Sequence, residues 1–113
     1  MGFYYFFRAK YIFHSHGTFS FVVPTKSKIV CNLWHGMPIK NIAYLDKGFK
    51  YIVNHSDYVI ATSKLFAYIM AAAFRTNFEN VLVTGLPRND VLYNGKKYKA
   101  KVFEAFGIDL DRN

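Results

Sequence analysis

The chain has 113 residues, of which 52% are hydrophobic and 19% aromatic, so it can bury a core and does not have the composition of a disordered protein. Its formal net charge of +8 favours anionic partners, such as phosphates, nucleic acid or an acidic membrane surface, without choosing among them. The single cysteine, Cys31, excludes an internal disulfide and any metal site with paired cysteine ligands, and its apolar neighbours predict a buried side chain.

The first element in chain order is an aromatic run that begins after Gly2 and is interrupted by Arg8. It is far shorter than the roughly 20 apolar residues that span a bilayer. It also lacks the small-residue cleavage site of a signal peptide. We interpret the run as an exposed strand of the core, as a patch that contacts a membrane surface, or as the remnant of a truncated element.

Short apolar runs then predict four strands, with two helical patterns beside them. The second run is continuously apolar, which is typical of a strand covered on both faces. The alternation of strands and helices predicts an α/β fold with a parallel sheet. The predicted strands are 9–13, 28–34, 57–62 and 80–84, and the predicted helices are 63–75 and 96–107.

The helix predicted at 63–75 is rich in helix-favouring residues, and Thr62 or Ser63 can cap its N-terminus. Its apolar stretch covers only about 15 Å, too little to cross a membrane. We therefore expect burial against the sheet, and contact with lipid or with another domain is the alternative. The helix predicted at 96–107 has an apolar residue at every fourth position and ends at Gly107.

Polar residues, glycines and prolines follow each predicted strand. In a parallel sheet these segments lie at one edge, where open α/β sheets bind their ligands. They are His14, Ser15, His16 and Gly17 after the first strand, His35 and Gly36 after the second, Thr62, Ser63 and Lys64 after the third, and Gly85, Pro87, Arg88, Asn89 and Asp90 after the fourth. The sequence thus predicts one candidate ligand site at this edge.

Several of these residues suit an anionic substrate. Gly36 allows the backbone to approach a ligand closely. Lys40 and Arg88 can bind phosphate oxygens, and Arg88 can do so through two hydrogen bonds at once. The amides of residues 62–64 lie at a predicted helix N-terminus and can receive an anion. A neutral His35 can take a proton from an attacking hydroxyl.

Structural roles compete with these interpretations. A histidine at the end of a strand is often a packing residue, and Arg88 can simply pair with a carboxylate. The segment 86–90 can begin a helix with Asn89 or Asp90 as its cap.

Metal binding is not expected. The pair His14 and His16 is expected to be a poor metal site. The stretch 109–111 (Asp-Leu-Asp) imitates the Asp-x-Asp motif of glycosyltransferases, but it follows a helix-ending glycine, so we expect a solvated linker there.

Two segments, 33–44 (LWHGMPIKNIAY) and 83–92 (VTGLPRNDVL), resemble the CDP-glycerol glycerophosphotransferase family, whose members build teichoic acids and related phosphate-linked polymers. The similarity extends from about Ala9 to Gly107, and the two motifs together are rarer than either one alone. The chain departs from the family at Leu86, where tyrosine is more frequent, and at Asn41, where a second lysine is more frequent.

The resemblance implies a GT-B type glycosyltransferase fold, in which two Rossmann-like domains face a cleft. The expected fold class is therefore α/β, a Rossmann-like parallel sheet with flanking helices that forms part of one half of such a fold. Residues 1–113 are expected to be a single partial domain on the acceptor side. The C-terminal domain that binds most of the CDP group is expected to lie outside them, so the chain alone does not complete the reaction.

The resemblance also implies transfer of glycerol phosphate from CDP-glycerol (or of ribitol phosphate from CDP-ribitol) to a hydroxyl of a teichoic-acid-type or capsular polymer, with release of CMP. His35 is the expected general base. Phosphate contacts from Lys40 and Arg88 suit such a transfer without a metal or another cofactor. The expected substrate-binding residues are Gly36, Lys40, Thr62, Ser63, Gly85, Arg88, Asn89 and Asp90.

The acceptor polymer is expected to be lipid-linked, and the protein peripheral at the cytoplasmic face of the membrane, with an anionic membrane surface as a partner. Two other functions stay open. Basic charge with many aromatics permits a nucleic-acid-binding module, but the aromatics cluster in core-like runs without a nucleic-acid motif, so no nucleic-acid partner is expected. A non-catalytic domain that binds only a membrane or a protein partner is the other.

Overall fold

Four short apolar runs form one parallel sheet in the computed structural model, which describes residues 2–16, 21–48 and 54–107. The strands follow one another across the sheet in chain order, β1-β2-β3-β4, and every neighbouring pair is parallel. Their bounds are Tyr11–His14, Ile29–Asn32, Tyr58–Ala61 and Val81–Val83. The predicted parallel α/β sheet is therefore confirmed, although the strands are shorter than, or slightly displaced from, the predicted runs.

The helices α1 to α4 comprise Gly2–Arg8, Lys64–Phe74, Asp90–Tyr93 and Gly95–Phe106, and short 3-10 helices occupy Ala43–Leu45, Phe78–Asn80 and Pro87–Asn89. Helix α2 begins where predicted, because the Ser63 hydroxyl accepts a hydrogen bond from the amide of Phe66 at 3.3 Å. Helix α4 ends at Gly107, whose φ of 62° is the left-handed conformation that favours glycine. No helix in the described part of the chain is long and apolar enough to cross a membrane.

The aromatic run at the start of the chain is helix α1, so its interpretation as a strand was wrong. The Lys28 ammonium donates hydrogen bonds to the carbonyls of Phe6, Phe7 and Ala9 at 3.0, 2.7 and 2.7 Å. These carbonyls lie at the C-terminal end of the helix, where they lack intrahelical partners and where positive charge is stabilising. Phe6 is the buried residue of this helix.

The core lies between α2 and the sheet. Three residues on one side of α2, Ala67, Met70 and Ala73, are completely buried, and the small alanines allow the helix to lie close to β3. The expected burial of this helix is confirmed for that side, but Leu65 and Tyr68 on the other side are 69% and 64% exposed. Strand β2 is buried at Cys31, as predicted, and at its neighbours Val30 and Asn32.

Candidate active site

The turn after β2 carries the Trp-His-Gly motif, and a buried asparagine holds it in place. Asn32 is 3% exposed, and its Oδ1 accepts a hydrogen bond from the amide of Trp34 at 2.9 Å. Trp34 has a φ of 51°, a left-handed conformation that is uncommon for a residue with a bulky side chain. Sequence reasoning missed Asn32, although a polar residue at the end of an otherwise apolar strand was the available signal.

His35 lies in a stack of aromatic rings. Its ring centroid is 4.0 Å from that of Trp34, with an interplanar angle of 31°, and 4.6 Å from that of His16, with an angle of 12°. Trp34 in turn contacts Phe74 of α2 edge to face, at 5.0 Å. The core thus fixes the position of His35 through Trp34, while the His35 side chain itself is exposed.

Arg88 reaches the His35 stack from the segment after β4, two strands away from β2 in the sheet. It lies in the 3-10 helix Pro87–Asn89 after β4, and a Cβ placed on Gly36 would stand 3.5 Å from its Nη2 atom. The φ of Gly36, 159°, is close to extended, so what the glycine contributes is an uncovered approach to the guanidinium. Within the described residues, no carboxylate forms an ion pair with Arg88. The structure therefore brings together His35, Gly36 and Arg88, three of the residues singled out in the sequence.

The surroundings of His35 keep its ring neutral. Partial desolvation, followed by the positive charges of His16 and Arg88, lowers the pKa of His35 below its usual value. None of the residues 2–16, 21–48 and 54–107 forms a hydrogen bond with its ring nitrogens. A neutral, exposed imidazole with a free lone pair can accept a proton from a hydroxyl group at neutral pH.

His14, at the end of β1, is held very differently. Its Nδ1–H donates to the carbonyl of His16 at 2.9 Å, so in the neutral ring Nε2 is the acceptor, and it meets the Ser56 hydroxyl at 3.1 Å. Burial lowers the pKa of His14; the hydrogen bond to the His16 carbonyl raises it, and the charge of His16 lowers it further. His14 therefore connects β1 to the loop before β3 and has no nitrogen left for a substrate.

The other predicted residues, apart from Lys40, follow β3 and β4 at the same edge of the sheet. Gly85 has a φ of 81° and donates its amide to the carbonyl of Ala61 at 3.1 Å, so it joins the ends of β4 and β3. Ser63 uses its hydroxyl to cap α2, whereas Thr62 is exposed. The remaining three predicted residues, Lys40, Asn89 and Asp90, are also exposed.

Asn89 occupies the N-cap position of α3, but its side chain makes no capping hydrogen bond. Among the described residues, no group of three or more histidine, cysteine, aspartate or glutamate side chains could hold a metal ion. The Asp-x-Asp stretch at 109–111 lies outside the described residues.

A family model, CDP-glycerol:poly(glycerophosphate) glycerophosphotransferase, matches residues 2–113 of the chain. No curated protein matches the sequence at a significant level.

Among solved structures, the chain is similar to the wall teichoic acid polymerase TagF. A histidine-to-alanine variant of TagF gives a TM-score of 0.78 at 22% identity, over 93% of this chain and 30% of that one. A histidine-to-asparagine variant soaked with CDPG gives a TM-score of 0.77 at 21% identity, over 93% of this chain and 30% of that one. The structure of TagF without a named variant gives 0.66 at 24% identity, over 79% of this chain and 26% of that one.

The likeness to TagF concerns the fold. It confirms the expected class, a Rossmann-like parallel sheet with flanking helices that forms part of one half of a GT-B type fold. The chain spans 30% of the TagF chain that it matches, less than a third of its length.

Proposed function

The chain belongs to the CDP-glycerol:poly(glycerophosphate) glycerophosphotransferase family, and from this premise we propose that it forms the acceptor side of a transferase acting on CDP-glycerol. The reaction moves glycerol phosphate to a hydroxyl group of a teichoic-acid-type or capsular polymer and releases CMP. The observation that carries the proposal is the neutral His35 ring beside the Arg88 guanidinium at the carboxyl edge of the sheet.

In the proposed mechanism, His35 is the general base. The acceptor hydroxyl oxygen attacks the β-phosphorus of CDP-glycerol while its proton passes to the His35 ring. A new phosphorus–oxygen bond forms as the bond between the β-phosphorus and the bridging oxygen breaks, and CMP leaves with the bonding electrons. Arg88 and the exposed Lys40 bind the phosphate oxygens, whose negative charge they offset during the transfer.

Residues 1–113 are proposed to be one partial domain of the catalytic unit. One observation supports this division: the matched TagF chains are more than three times as long. A second domain outside this chain then binds most of the CDP group. The soak of a TagF variant with CDPG supports CDP-glycerol as the donor class.

The proposed acceptor is lipid-linked, and the proposed location is the cytoplasmic face of the membrane. Helix α1 supports this, because Tyr4, Tyr5 and Phe7 are 60%, 63% and 60% exposed and Arg8 lies at its end. Aromatics beside basic residues are suited to an anionic lipid interface. Flotation with anionic vesicles should recover the chain at low salt and lose it at high salt, whereas equal binding to neutral vesicles would contradict this location.

Transfer is tested with the native protein purified from its own cells. Radiolabelled CDP-glycerol and a lipid-linked glycerol phosphate acceptor should yield labelled polymer and an equal amount of CMP. Residues 1–113 alone should give no transfer, because the proposed CDP-binding domain lies outside them. Absence of transfer by the isolated protein from both CDP-glycerol and CDP-ribitol would show that the proposed function is wrong.

A further inference from the structure

His16 and His35 follow different strands, yet their rings are in contact. His16 follows β1, whereas His35 follows β2, and the two rings are nearly parallel with their centroids 4.6 Å apart. Such a geometry places one ring against the face of the other, so the two imidazoles stack and do not share a hydrogen bond between ring nitrogens. Nothing in the mechanism above uses His16.

Hydrogen bonds hold both the backbone and the ring of His16. Its carbonyl accepts a hydrogen bond from Nδ1 of His14 at 2.9 Å, and its own Nδ1 is hydrogen-bonded to the Ser15 hydroxyl at 3.0 Å. His14 is in turn anchored to Ser56, at the other side of β2 in the loop before β3, at 3.1 Å. A continuous set of contacts therefore runs from Ser56 through His14 and His16 to the face of the His35 ring.

We propose that His16 is a positioning residue for His35, which fixes the plane of that ring against Trp34. A positive charge on His16 would also disfavour a proton on the stacked His35 ring. The inference rests on the proposed function, in which His35 is the general base. Among the described residues, the titratable or charged groups that face His35 are His16 from the segment after β1 and Arg88 from the segment after β4, and Trp34 is uncharged.

Electrostatics explains why a second histidine suits this position. Two stacked imidazoles repel each other when both are charged, so a proton on one disfavours a proton on the other.

Three variants of the chain separate the two parts of this role. His16→Phe keeps a flat ring and removes the charge, His16→Ala removes both, and His55→Gln is a control at a histidine outside the stack. NMR titration of the His35 ring proton should give a higher pKa in His16→Phe and in His16→Ala than in the native chain. The ring-current shift of His35 should persist in His16→Phe and disappear in His16→Ala, while His55→Gln should change neither.

Transfer kinetics test the consequence for catalysis in the complete protein. In His16→Phe the acid limb of the kcat/KM profile should move to higher pH, because a base with a raised pKa is deprotonated only at higher pH, while the rate above this limb stays near native. In His16→Ala, kcat/KM at the pH optimum should also fall by about tenfold or more, because a misplaced catalytic group transfers the proton less efficiently.

Two results would overturn the proposal: an unchanged His35 titration in His16→Phe, or an unchanged ring-current shift and transfer rate in His16→Ala. Failure of the proposed function has a different signature: the native protein would then transfer from neither CDP-glycerol nor CDP-ribitol, whatever the NMR titrations show.

Discussion

His14 and His35 are histidines at the same edge of the same sheet, yet the fold treats them in opposite ways. Both ring nitrogens of His14 are hydrogen-bonded to protein groups. The nitrogens of His35 meet no protein group in the described part of the chain, and its faces contact aromatic rings instead. What the ring nitrogens contact, and not the position after a strand, separates a structural histidine from one that is available for proton transfer.

The largest expected effect comes from removing the side chain of His35. In the complete protein, His35→Ala should lower kcat by a factor on the order of 10²–10⁴, because a general base is lost. Donor affinity should change little, since we propose that another domain holds most of the CDP group. His14→Ala is the comparison variant: it should reduce stability, and it should reduce turnover only as far as the loss of its hydrogen bond to His16 displaces the His35 ring.

Steady-state transfer kinetics, donor-binding titration and circular dichroism on both variants make this comparison. If folded His35→Ala turns over at a near-native rate while His14→Ala does not, the two roles assigned here are exchanged and His35 is a packing residue.

The next effect concerns the cation beside His35. Arg88→Ala should reduce kcat/KM by roughly 10- to 100-fold, the value of about 1.5–3 kcal/mol for hydrogen bonds to charged groups, with binding and rate falling together. The same variant should raise the pKa of His35, because a positive charge near that ring is lost.

Lys101→Ala provides a control of equal charge change on the exposed surface of α4. It should leave both transfer kinetics and the His35 titration unchanged. If Arg88→Ala behaves like Lys101→Ala in both measurements, Arg88 neither binds phosphate nor acts on His35.

The sequence predicted the framework of this edge because the framework depends on local pattern. Apolar runs and helix-favouring residues predicted the strands and the two main helices. Ser63 marked the start of α2, and Gly107 marked the end of α4. The motif resemblance located His35, Gly36 and Arg88, which the fold does bring together.

The contacts that distinguish the two histidines could not be predicted, because they join distant parts of the chain. His14 and Ser56 are 42 positions apart, and Lys28, which caps α1, is 22 positions from Phe6. Neither pairing leaves a periodic signal in the sequence. The stacking of His16 on His35 depends on the parallel alignment of β1 and β2, and the positive φ of Trp34 depends on the buried Asn32.

A smaller effect is expected at Ser63, which sits at the same edge but whose hydroxyl, like the His14 ring, is bound to protein. Ser63→Ala should lower the free energy of unfolding by about 1 kcal/mol, the usual value of a helix N-cap. The neighbouring Thr62→Ala should have no such effect, because Ser63 is the residue that caps α2. Urea denaturation of both variants measures the difference. A loss of transfer in Ser63→Ala at native stability would instead support the substrate-binding role predicted from the sequence.

The smallest effect is a change in how stability depends on pH, and it tests the His14 side of the comparison. Because the pKa of His14 is lower in the folded chain than its ordinary value, the unfolded chain binds more protons on acidification. The free energy of unfolding should therefore be constant above about pH 6.5, the unperturbed histidine pKa, and should fall as the pH drops towards the folded pKa. His35, whose pKa is also lowered, contributes in the same direction.

A His14→Gln variant removes the titrating group and keeps a neutral hydrogen-bonding side chain, so its stability should fall less steeply with acidification. Urea denaturation between about pH 7.5 and 5 compares the two slopes, and a His14→Gln/His35→Gln double variant should have the flattest profile of the series. Parallel profiles for the native chain and His14→Gln would mean that the His14 ring takes up protons as readily when folded as when unfolded. Its burial would then not hold it neutral, and His14 would be as free to exchange a proton as His35.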